Sequence, residues 1–319
     1  IDVDPSACDN DAIRQASKNG HIEVVNRLLQ DPRVDPSALD NYAIRWASED
    51  GRIDVVNRLL QDHRVDPSAL DNQALGWASQ NGHVEVVNRL LQDPRVDPST
   101  RDNYAFQLAS FYGHIEVVNR FLEDTRVDPS DDDNRVIRIA SKNGHIDVVN
   151  RLLQDSRVDP SDLNNYAIRQ ASYSGHIEVV NRLLQYPRVD PSADDNYAIR
   201  WASENGRIDV VNRLLQDPRV DPSACDNSAI CFASENGHVE VVNRLLQDPR
   251  VDPSACDICA ICIASQNGHV EVVNRLLQDP RVDPSACDNF SIIIASENGH
   301  IELVNLLLQD PRVDPSARD

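Results

Sequence analysis

The amino-acid sequence predicts an all-α solenoid of about ten stacked helix-turn-helix units joined by extended arms. The first observation is a period of 31 residues that runs through the chain of 319 residues without an insertion. It is marked by the proline of a recurrent Val-Asp-Pro-Ser segment, at Pro5, Pro36, Pro67, Pro98, Pro129, Pro160, Pro191, Pro222, Pro253, Pro284 and Pro315. The second observation is that apolar residues recur at helical spacing within each unit. A fixed period of this length is typical of a solenoid, in which each unit buries its apolar face only against its neighbours.

The unit that begins at Asp195 shows how each element is predicted. We expect Asp195 to cap a first helix of about two turns that ends near Gly206, a residue suited to the left-handed conformation. A second helix follows, in which Ile208 and Val211 begin an apolar stripe. It ends at Pro218, because proline pushes the residue before it out of the helical region. The remaining Arg-Val-Asp-Pro-Ser-Ala has no helical period and predicts a turn-rich arm.

We expect one continuous array over residues 1–319, with units that start near residues 9, 40, 71, 102, 133, 164, 195, 226, 257 and 288. The first residues align with an arm, and the chain stops where an eleventh unit would begin. The sequence contains no methionine. These features predict a fragment of a longer chain.

The repeated pattern AIRxASxNGHIEVVNRLLQDPRV resembles the ankyrin repeat, whose familiar form is TPLHxAAxxGHxxVVxxLLxxGAxV over 33 residues. Each copy here is two residues shorter, and in units two, six and seven YAIR replaces TPLH, for example at Tyr42 and Arg45. The short variant is similar to the ankyrin arrays of large amoeba-infecting DNA viruses and some protists. The resemblance implies a stack whose concave face, formed by arms and first helices, binds other proteins, and it implies no catalysis.

The composition disfavours several kinds of partner. The formal net charge is −21, from 52 acidic and 31 basic residues, and no basic stripe is present, which disfavours nucleic acid. No apolar run approaches the ~20 residues of a membrane span. Seven unevenly placed cysteines do not predict a disulfide framework. We therefore expect a cytoplasmic protein, in the host cytoplasm if it is viral, that uses no cofactor.

Differences between the copies indicate where a protein partner would bind. The two residues before the glycine of each unit vary, and by the resemblance they lie on the concave rim. In units four and six, aromatic residues stand where most copies carry polar or charged ones, and aromatic residues often anchor protein interfaces. The alternative is that these rings are exposed incidentally. The predicted partner-binding residues are Phe111, Tyr112, Tyr173, Gln107, Arg135 and Lys142.

Three other rows of residues are predicted to be structural. The residue after the glycine is His in eight copies and Arg in two, and arginine cannot give up its proton to bind a metal. Asn26 and its equivalents are Asn in all ten copies. Trp46, Trp77 and Trp201 follow the apolar pattern of the first helix, which favours packing between repeats over ligand contact.

Six cysteines fall near the carboxyl end of the chain, at Cys225, Cys231, Cys256, Cys259, Cys262 and Cys287. Cys259 and Cys262 form a CxxC motif, which alone suggests zinc or redox chemistry. The others are spread over three units, a spacing that favours unpaired thiols over a metal site. Zinc binding stays open as the alternative.

Three functions are therefore weighed. The favoured one is a non-enzymatic scaffold or adaptor that binds a partner protein on the concave face. The second is a structural or assembly protein, associated with virus particles if the viral similarity holds, that self-associates end to end through apolar residues such as Ile293 and Leu306. The third is an enzyme, which is disfavoured because the sequence offers no phosphate-binding glycine loop and no nucleophile distinct from the repeated frame.

Overall fold

The computed structural model describes residues 4–255 and 259–313, and over these ranges it contains twenty helices and no strand. The chain divides into two compact units, Ile1–Asp159 and Pro160–Asp319. Each unit holds five helix pairs, so the predicted all-α class is confirmed.

The helices of the first unit are α1 Ala7–Lys18, α2 Ile22–Leu28, α3 Ala38–Glu49, α4 Ile53–Leu59, α5 Ala69–Gln80, α6 Val84–Leu91, α7 Thr100–Tyr112, α8 Ile115–Glu123, α9 Asp131–Lys142 and α10 Ile146–Leu152. Those of the second unit are α11 Asp162–Ser174, α12 Ile177–Leu183, α13 Ala193–Glu204, α14 Ile208–Leu214, α15 Ala224–Glu235, α16 Val239–Leu246, α17 Ala260–Gln266, α18 Val270–Leu277, α19 Ala286–Glu297 and α20 Ile301–Leu308. Odd-numbered helices are the first of each repeat, and even-numbered helices are the second.

Each unit is a stack of these pairs. First helices pack on the first helices of neighbouring repeats, and second helices pack on second helices. The shared core consists of the apolar positions seen in the sequence pattern, such as Ile44, Val56 and Leu59, which are fully buried. Burying one such side chain contributes about 1.5–3 kcal/mol, so the stacking of apolar faces supplies most of the stabilisation.

Nine of the first helices open with a turn of left-handed backbone. In α3, Leu39, Asp40 and Asn41 have φ of 54°, 55° and 61°. This conformation costs roughly 1–2 kcal/mol per residue, although single Asn and Asp residues adopt it more readily than others. The prediction that Asp195 caps its helix is therefore wrong, because Asp195, at φ 53°, lies within such a turn.

The aspartate of the preceding arm holds the turn that leads into this helix. Asp190 Oδ1 accepts hydrogen bonds from the backbone N–H and the hydroxyl of Ser192, at 2.9 and 2.6 Å. Ser192 is the residue that precedes α13. The right-handed part of the helix begins only after Asn196, which leaves the two turns that the sequence predicts.

Two side chains in each of several repeats hold the left-handed turn. Asn41 Oδ1 accepts from the backbone N–H of Asp66, in the next arm, at 2.7 Å. Arg45 donates from Nε to the Asp40 carbonyl at 2.9 Å and from Nη2 to the Leu39 carbonyl at 2.8 Å. We call the place of Arg45 in each repeat the turn-capping position. The same pair of carbonyl contacts is made by Arg14, Arg138 and Arg200.

A second set of hydrogen bonds ties each arm to the arm before it. The Asp62 carboxylate accepts from the backbone N–H and Nε of Arg64, at 3.1 and 2.9 Å, and Arg64 Nη1 donates to the Val34 carbonyl at 2.8 Å. The hydrogen bond from the Arg64 side chain is the main reason that the pKa of Asp62 is lowered to about 2. The aspartate–arginine pair recurs at residues 93 and 95, 124 and 126, 155 and 157, 217 and 219, 248 and 250, 279 and 281, and 310 and 312.

Within each unit, the histidine row joins neighbouring repeats. His114 Nε2 lies 2.8 Å from the carbonyl oxygen of Gln80, at the end of α5. Where arginine replaces histidine, Arg52 Nε donates to the Lys18 carbonyl at 3.1 Å, which is the equivalent contact. The predicted structural role of this row is confirmed. The asparagine row is structural as well, since Asn26 Oδ1 accepts from Arg58 Nε at 3.0 Å.

The glycine that ends the first helix makes room for the histidine ring of the following repeat. Gly82 has φ +75°, and a Cβ at this position would lie 2.7 Å from Nδ1 of His114. The position therefore needs glycine both for its left-handed conformation and for the close approach of the imidazole.

A row of buried serines runs through the first helices. Ser79 in α5 is fully buried, and among the described residues its hydroxyl has no hydrogen-bond partner. The same description applies to Ser17, Ser48, Ser110, Ser141, Ser172, Ser203, Ser234 and Ser265. An unpaired buried hydroxyl costs about 1–3 kcal/mol relative to a paired one.

Candidate functional site

The first helices share a face whose residues recur at the same register. In α7 this face consists of Tyr104, Leu108 and Phe111, which are spaced by four and three residues and so lie on one side of the helix. Tyr104 and Phe111 are 45% and 46% exposed, and Leu108 is half-buried. We call this the first-helix face. Its other members in the first unit are residues 11, 15 and 18, 42, 46 and 49, 73, 77 and 80, and 135, 139 and 142.

Phe111 and Tyr112 stand together at the end of α7. Tyr112 is 46% exposed, and the two ring centroids lie 4.9 Å apart in an edge-to-face arrangement. The Tyr112 ring is also stacked near His114, with centroids 6.3 Å apart. The carbonyl of Phe111 lies 2.7 Å from His145 Nε2 of the following repeat. The backbone beneath these exposed rings is therefore fixed by the repeated frame.

The polar residues predicted for the site take different places in the structure. Arg135 is exposed and pairs with Asp132 at 2.8 Å, and Lys142 is exposed at the end of α9. Gln107 is 7% exposed, and its amide donates to the Asp102 carbonyl at 2.6 Å. Gln107 thus occupies the turn-capping position of its repeat. We therefore leave it out of the proposed contact surface.

In the second unit, Tyr173 lies at the end of α11 and is 40% exposed. Its ring centroid is 6.2 Å from that of Trp201, which in turn lies 5.2 Å from Tyr197 and 6.1 Å from Phe232. The contacts with Tyr173 and Phe232 cross to the neighbouring repeats and agree with the predicted packing role of Trp201. Glu204 is on the same face, and burial, with a smaller contribution from the Glu235 carboxylate, raises its pKa.

One turn-capping position of the first unit has no side chain. Gly76 in α5 takes the place that Arg45 takes in α3, and a cavity of about 140 Å³ opens beside it. Leu70, Asp71 and Tyr104 are among the residues that line this cavity. The sequence alone did not predict this cavity. Its signal is the glycine of Ala-Leu-Gly-Trp at residues 74–77, where the preceding repeat has the arginine of Ala-Ile-Arg-Trp at residues 43–46.

The cysteines fall into buried and exposed groups. Cys259 and Cys262 are buried free thiols whose sulfur atoms lie 2.7 Å apart. The interaction between the two thiols lowers the pKa of Cys259 and is the first cause of a raised pKa at Cys262. Cys231 is disulfide-bonded, contrary to the expectation of unpaired thiols. Cys256 lies outside the described residues.

No group of three or more metal-ligating side chains is assembled within residues 4–255 and 259–313. None of the helices described above combines the length and the apolar composition that crossing a bilayer requires.

The comparisons with known proteins agree with the repeated geometry. A family model described as Ankyrin repeats (3 copies) matches residues 13–102, 137–226, 168–257 and 230–319, which together make up more than half of the chain. No curated protein matches the sequence. Ankyrin repeats generally mediate interactions between proteins and do not catalyse reactions. The chain belongs to the ankyrin repeat family.

Proposed function

We propose that this chain is a non-enzymatic scaffold that binds a partner protein on its first-helix face, with Phe111 and the adjoining Tyr112 as anchors. The observation that carries the proposal is the pair of half-exposed aromatic rings at the end of α7. Large aromatic side chains on a rigid support contribute much of the binding energy of protein interfaces, because little conformational entropy is lost when they are covered.

The neighbouring residues suit a polar rim around these anchors. Lys142 has the same register in α9 that Phe111 has in α7, and α7 packs on α9. Arg135 lies seven residues before Lys142 on the same face of α9. A cation at each of these places favours a partner surface that carries carboxylates beside an apolar patch. In the second unit we propose Tyr173 as a further contact.

The experiment compares partner capture by the wild-type chain and by the triple variant Phe111→Ala, Tyr112→Ala, Tyr173→Ala. Partners are first identified by affinity purification and mass spectrometry, and the affinity of the purified partner is then measured for each variant. We expect the triple variant to bind at least ten-fold more weakly with a nearly unchanged melting curve. Val24→Ala, which truncates an exposed residue of α2, is the matched control and should bind normally. Equal affinity of the triple variant would refute the proposal.

A second candidate is a structural protein that self-associates through its last repeat. Ile293 of α19, and Ile301 and Leu308 of α20, are exposed apolar residues, whereas Leu306 is half-buried. Light scattering should then show a size that grows with protein concentration. Charges introduced at Ile293 and Leu308 should abolish this growth, and a monomer at all concentrations would exclude the candidate.

A further inference from the structure

We propose that the cavity beside Gly76 is a binding site for the guanidinium group of an arginine side chain on the partner protein. The inference rests on the proposed function in one respect, since the arginine is supplied by the partner that the scaffold binds. The observations behind it are the contacts that this chain makes with its own arginines at the equivalent positions of other repeats.

Those contacts define what the cavity lacks. At the turn-capping position, Arg45 donates to the carbonyls of Leu39 and Asp40. In α5 the residues equivalent to these two carbonyl acceptors are Leu70 and Asp71, and both line the cavity. Their backbone has the same left-handed conformation, with φ of 53° and 56°. Because Gly76 has no side chain, these two carbonyls receive no hydrogen bond from the turn-capping position.

The aromatic wall of the cavity is uncovered for the same reason. In α1, the Arg14 guanidinium lies over the ring of Tyr42 in the next repeat, 5.5 Å from its centroid. In α11, Arg169 lies 4.9 Å from the ring centroid of Tyr197 in the same way. Tyr104 has this relation to Gly76 and lines the cavity, but no arginine lies over it from that position. Tyr104 is accordingly exposed, whereas Tyr42 and Tyr197 are half-buried.

The charges around the cavity are mixed but allow a cation. Asp71 and Asp97 are among the residues that line it. Arg101 also lines it, and its Nε lies 3.2 Å from Asp71 Oδ2, with the Arg101 side chain 65% exposed. Arg45 reaches the edge of the cavity through a hydrogen bond to Gln73. The net charge of −21 attracts a cation from a distance, and Arg101 should weaken its final approach.

The geometry favours arginine over lysine. Two neighbouring carbonyls beside an aromatic face match a planar guanidinium, which donates several N–H groups in a fixed fork and stacks on rings. A lysine ammonium is compact and strongly hydrated, and it cannot cover the ring and reach both carbonyls in one plane. The cavity volume of about 140 Å³ is many times the ~10–15 Å³ that holds one water molecule, which leaves room for a planar group of a few heavy atoms.

The experiment titrates the full chain with two capped amino acids, Nα-acetyl-arginine N-methylamide and Nα-acetyl-lysine N-methylamide, and follows NMR signals of the tyrosine rings and backbone amides. We expect saturable binding of the arginine probe, with shifts at Tyr104 and at Leu70 and Asp71. We expect the lysine probe to bind about ten-fold more weakly. Equal affinity for both probes, or the absence of a saturable shift at Tyr104, would overturn the assignment.

Substitutions at the glycine provide matched controls. Gly76→Arg and Gly76→Gln should each fill the cavity and abolish binding, since Arg45 and Gln107 already fill the equivalent places with these side chains. Gly76→Ala adds only a Cβ, which would lie 3.7 Å from Leu108 Cδ1, and should retain binding. If Gly76→Arg and Gly76→Gln both fold and still bind the arginine probe like the wild type, this cavity is excluded as the binding site.

Arg101 provides the test against an internal occupant. Arg101→Ala should bind the arginine probe more tightly than the wild type, because a like charge is removed from the rim. If only the Arg101→Ala variant binds the probe, the Arg101 side chain occupies the cavity in the wild type and the proposal is overturned. The arginine probe could fail to bind while the triple aromatic variant still loses affinity for the partner protein. That result would exclude this site and leave the proposed scaffold function intact.

Discussion

Replacing Ser79 with alanine is expected to stabilise the protein. Ser79 is fully buried in α5, and within the described residues its hydroxyl is unpaired. Removing an unpaired buried hydroxyl recovers about 1–3 kcal/mol, and the higher helix propensity of alanine adds up to ~0.5 kcal/mol. The small void left by one oxygen atom subtracts a few tenths of a kcal/mol. We therefore expect a net gain of about 1–3 kcal/mol, and each kcal/mol raises the Tm of a unit of this size by roughly 2–4 °C.

Differential scanning calorimetry and urea unfolding of the full chain would measure this gain. Ser296→Ala is the matched control, because Ser296 has the same register in α19 but is exposed and donates to the Ile292 carbonyl at 2.7 Å. Ser296→Ala should change the free energy of unfolding by less than about 0.5 kcal/mol. The double variant with Ser48→Ala should gain about twice as much as Ser79→Ala alone. A fall in Tm for Ser79→Ala would refute the reasoning, since it would mean that the hydroxyl has a partner in solution.

Three further predictions concern the frame. Gly82→Ala should lower the free energy of unfolding by about 2 kcal/mol or more, because it adds a clash with His114 to the left-handed strain. In the control Gly299→Ala the new Cβ meets nothing within 4 Å, so the loss should be only the ~1 kcal/mol of strain. Equal losses in urea unfolding would contradict this. Gly76→Ala should raise the free energy of unfolding by about 1 kcal/mol in the same measurement, because alanine favours the helix and its Cβ meets no clash. An unchanged or lower value would contradict the room for a methyl group at this position. The pKa of Asp62 is depressed to about 2, so its contribution to stability is present above pH ~4 and is lost as the pH falls towards 2. Asp62→Asn should flatten this part of the plot of unfolding free energy against pH. An unchanged plot would contradict the stabilising role of the Asp62–Arg64 pair.

Much of the fold follows from the sequence because it is periodic. The glycine, the apolar stripe and the proline of each copy predict two short helices and an arm, and the structure contains them at α13 and α14 as in the other repeats. The left-handed turn could not be predicted in this way. Its first residue is Leu39 in one copy and Arg101 in another, and neither favours that conformation locally. The turn persists because distant groups, such as the N–H of Asp66, bond to it, and such contacts exist only after the repeats have stacked.

The candidate site shows the same division. The exposure of Phe111 and Tyr112 could be predicted because their register places them outside the apolar stripe. The burial of Gln107 could not be, since its amide is held by the Asp102 carbonyl of a turn that the sequence does not reveal. The cavity beside Gly76 has the same origin. A glycine within a helix signals only a weaker helix, and its effect on binding becomes visible once Arg45 is seen to fill the equivalent space.

The contacts that join the repeats explain why this frame tolerates variation. His114 and Arg52 differ in shape and charge, yet each bonds a backbone carbonyl of the preceding repeat. Arg45 and Gln107 likewise serve the same kind of turn. Backbone carbonyls are present in every repeat whatever the side chains are, so a substitution in one repeat requires no matching change in the next. An arginine can therefore be lost at one position at the cost of its local hydrogen bonds alone, about 0.5–1.5 kcal/mol each, and the place it vacates keeps the acceptors that a partner's arginine requires.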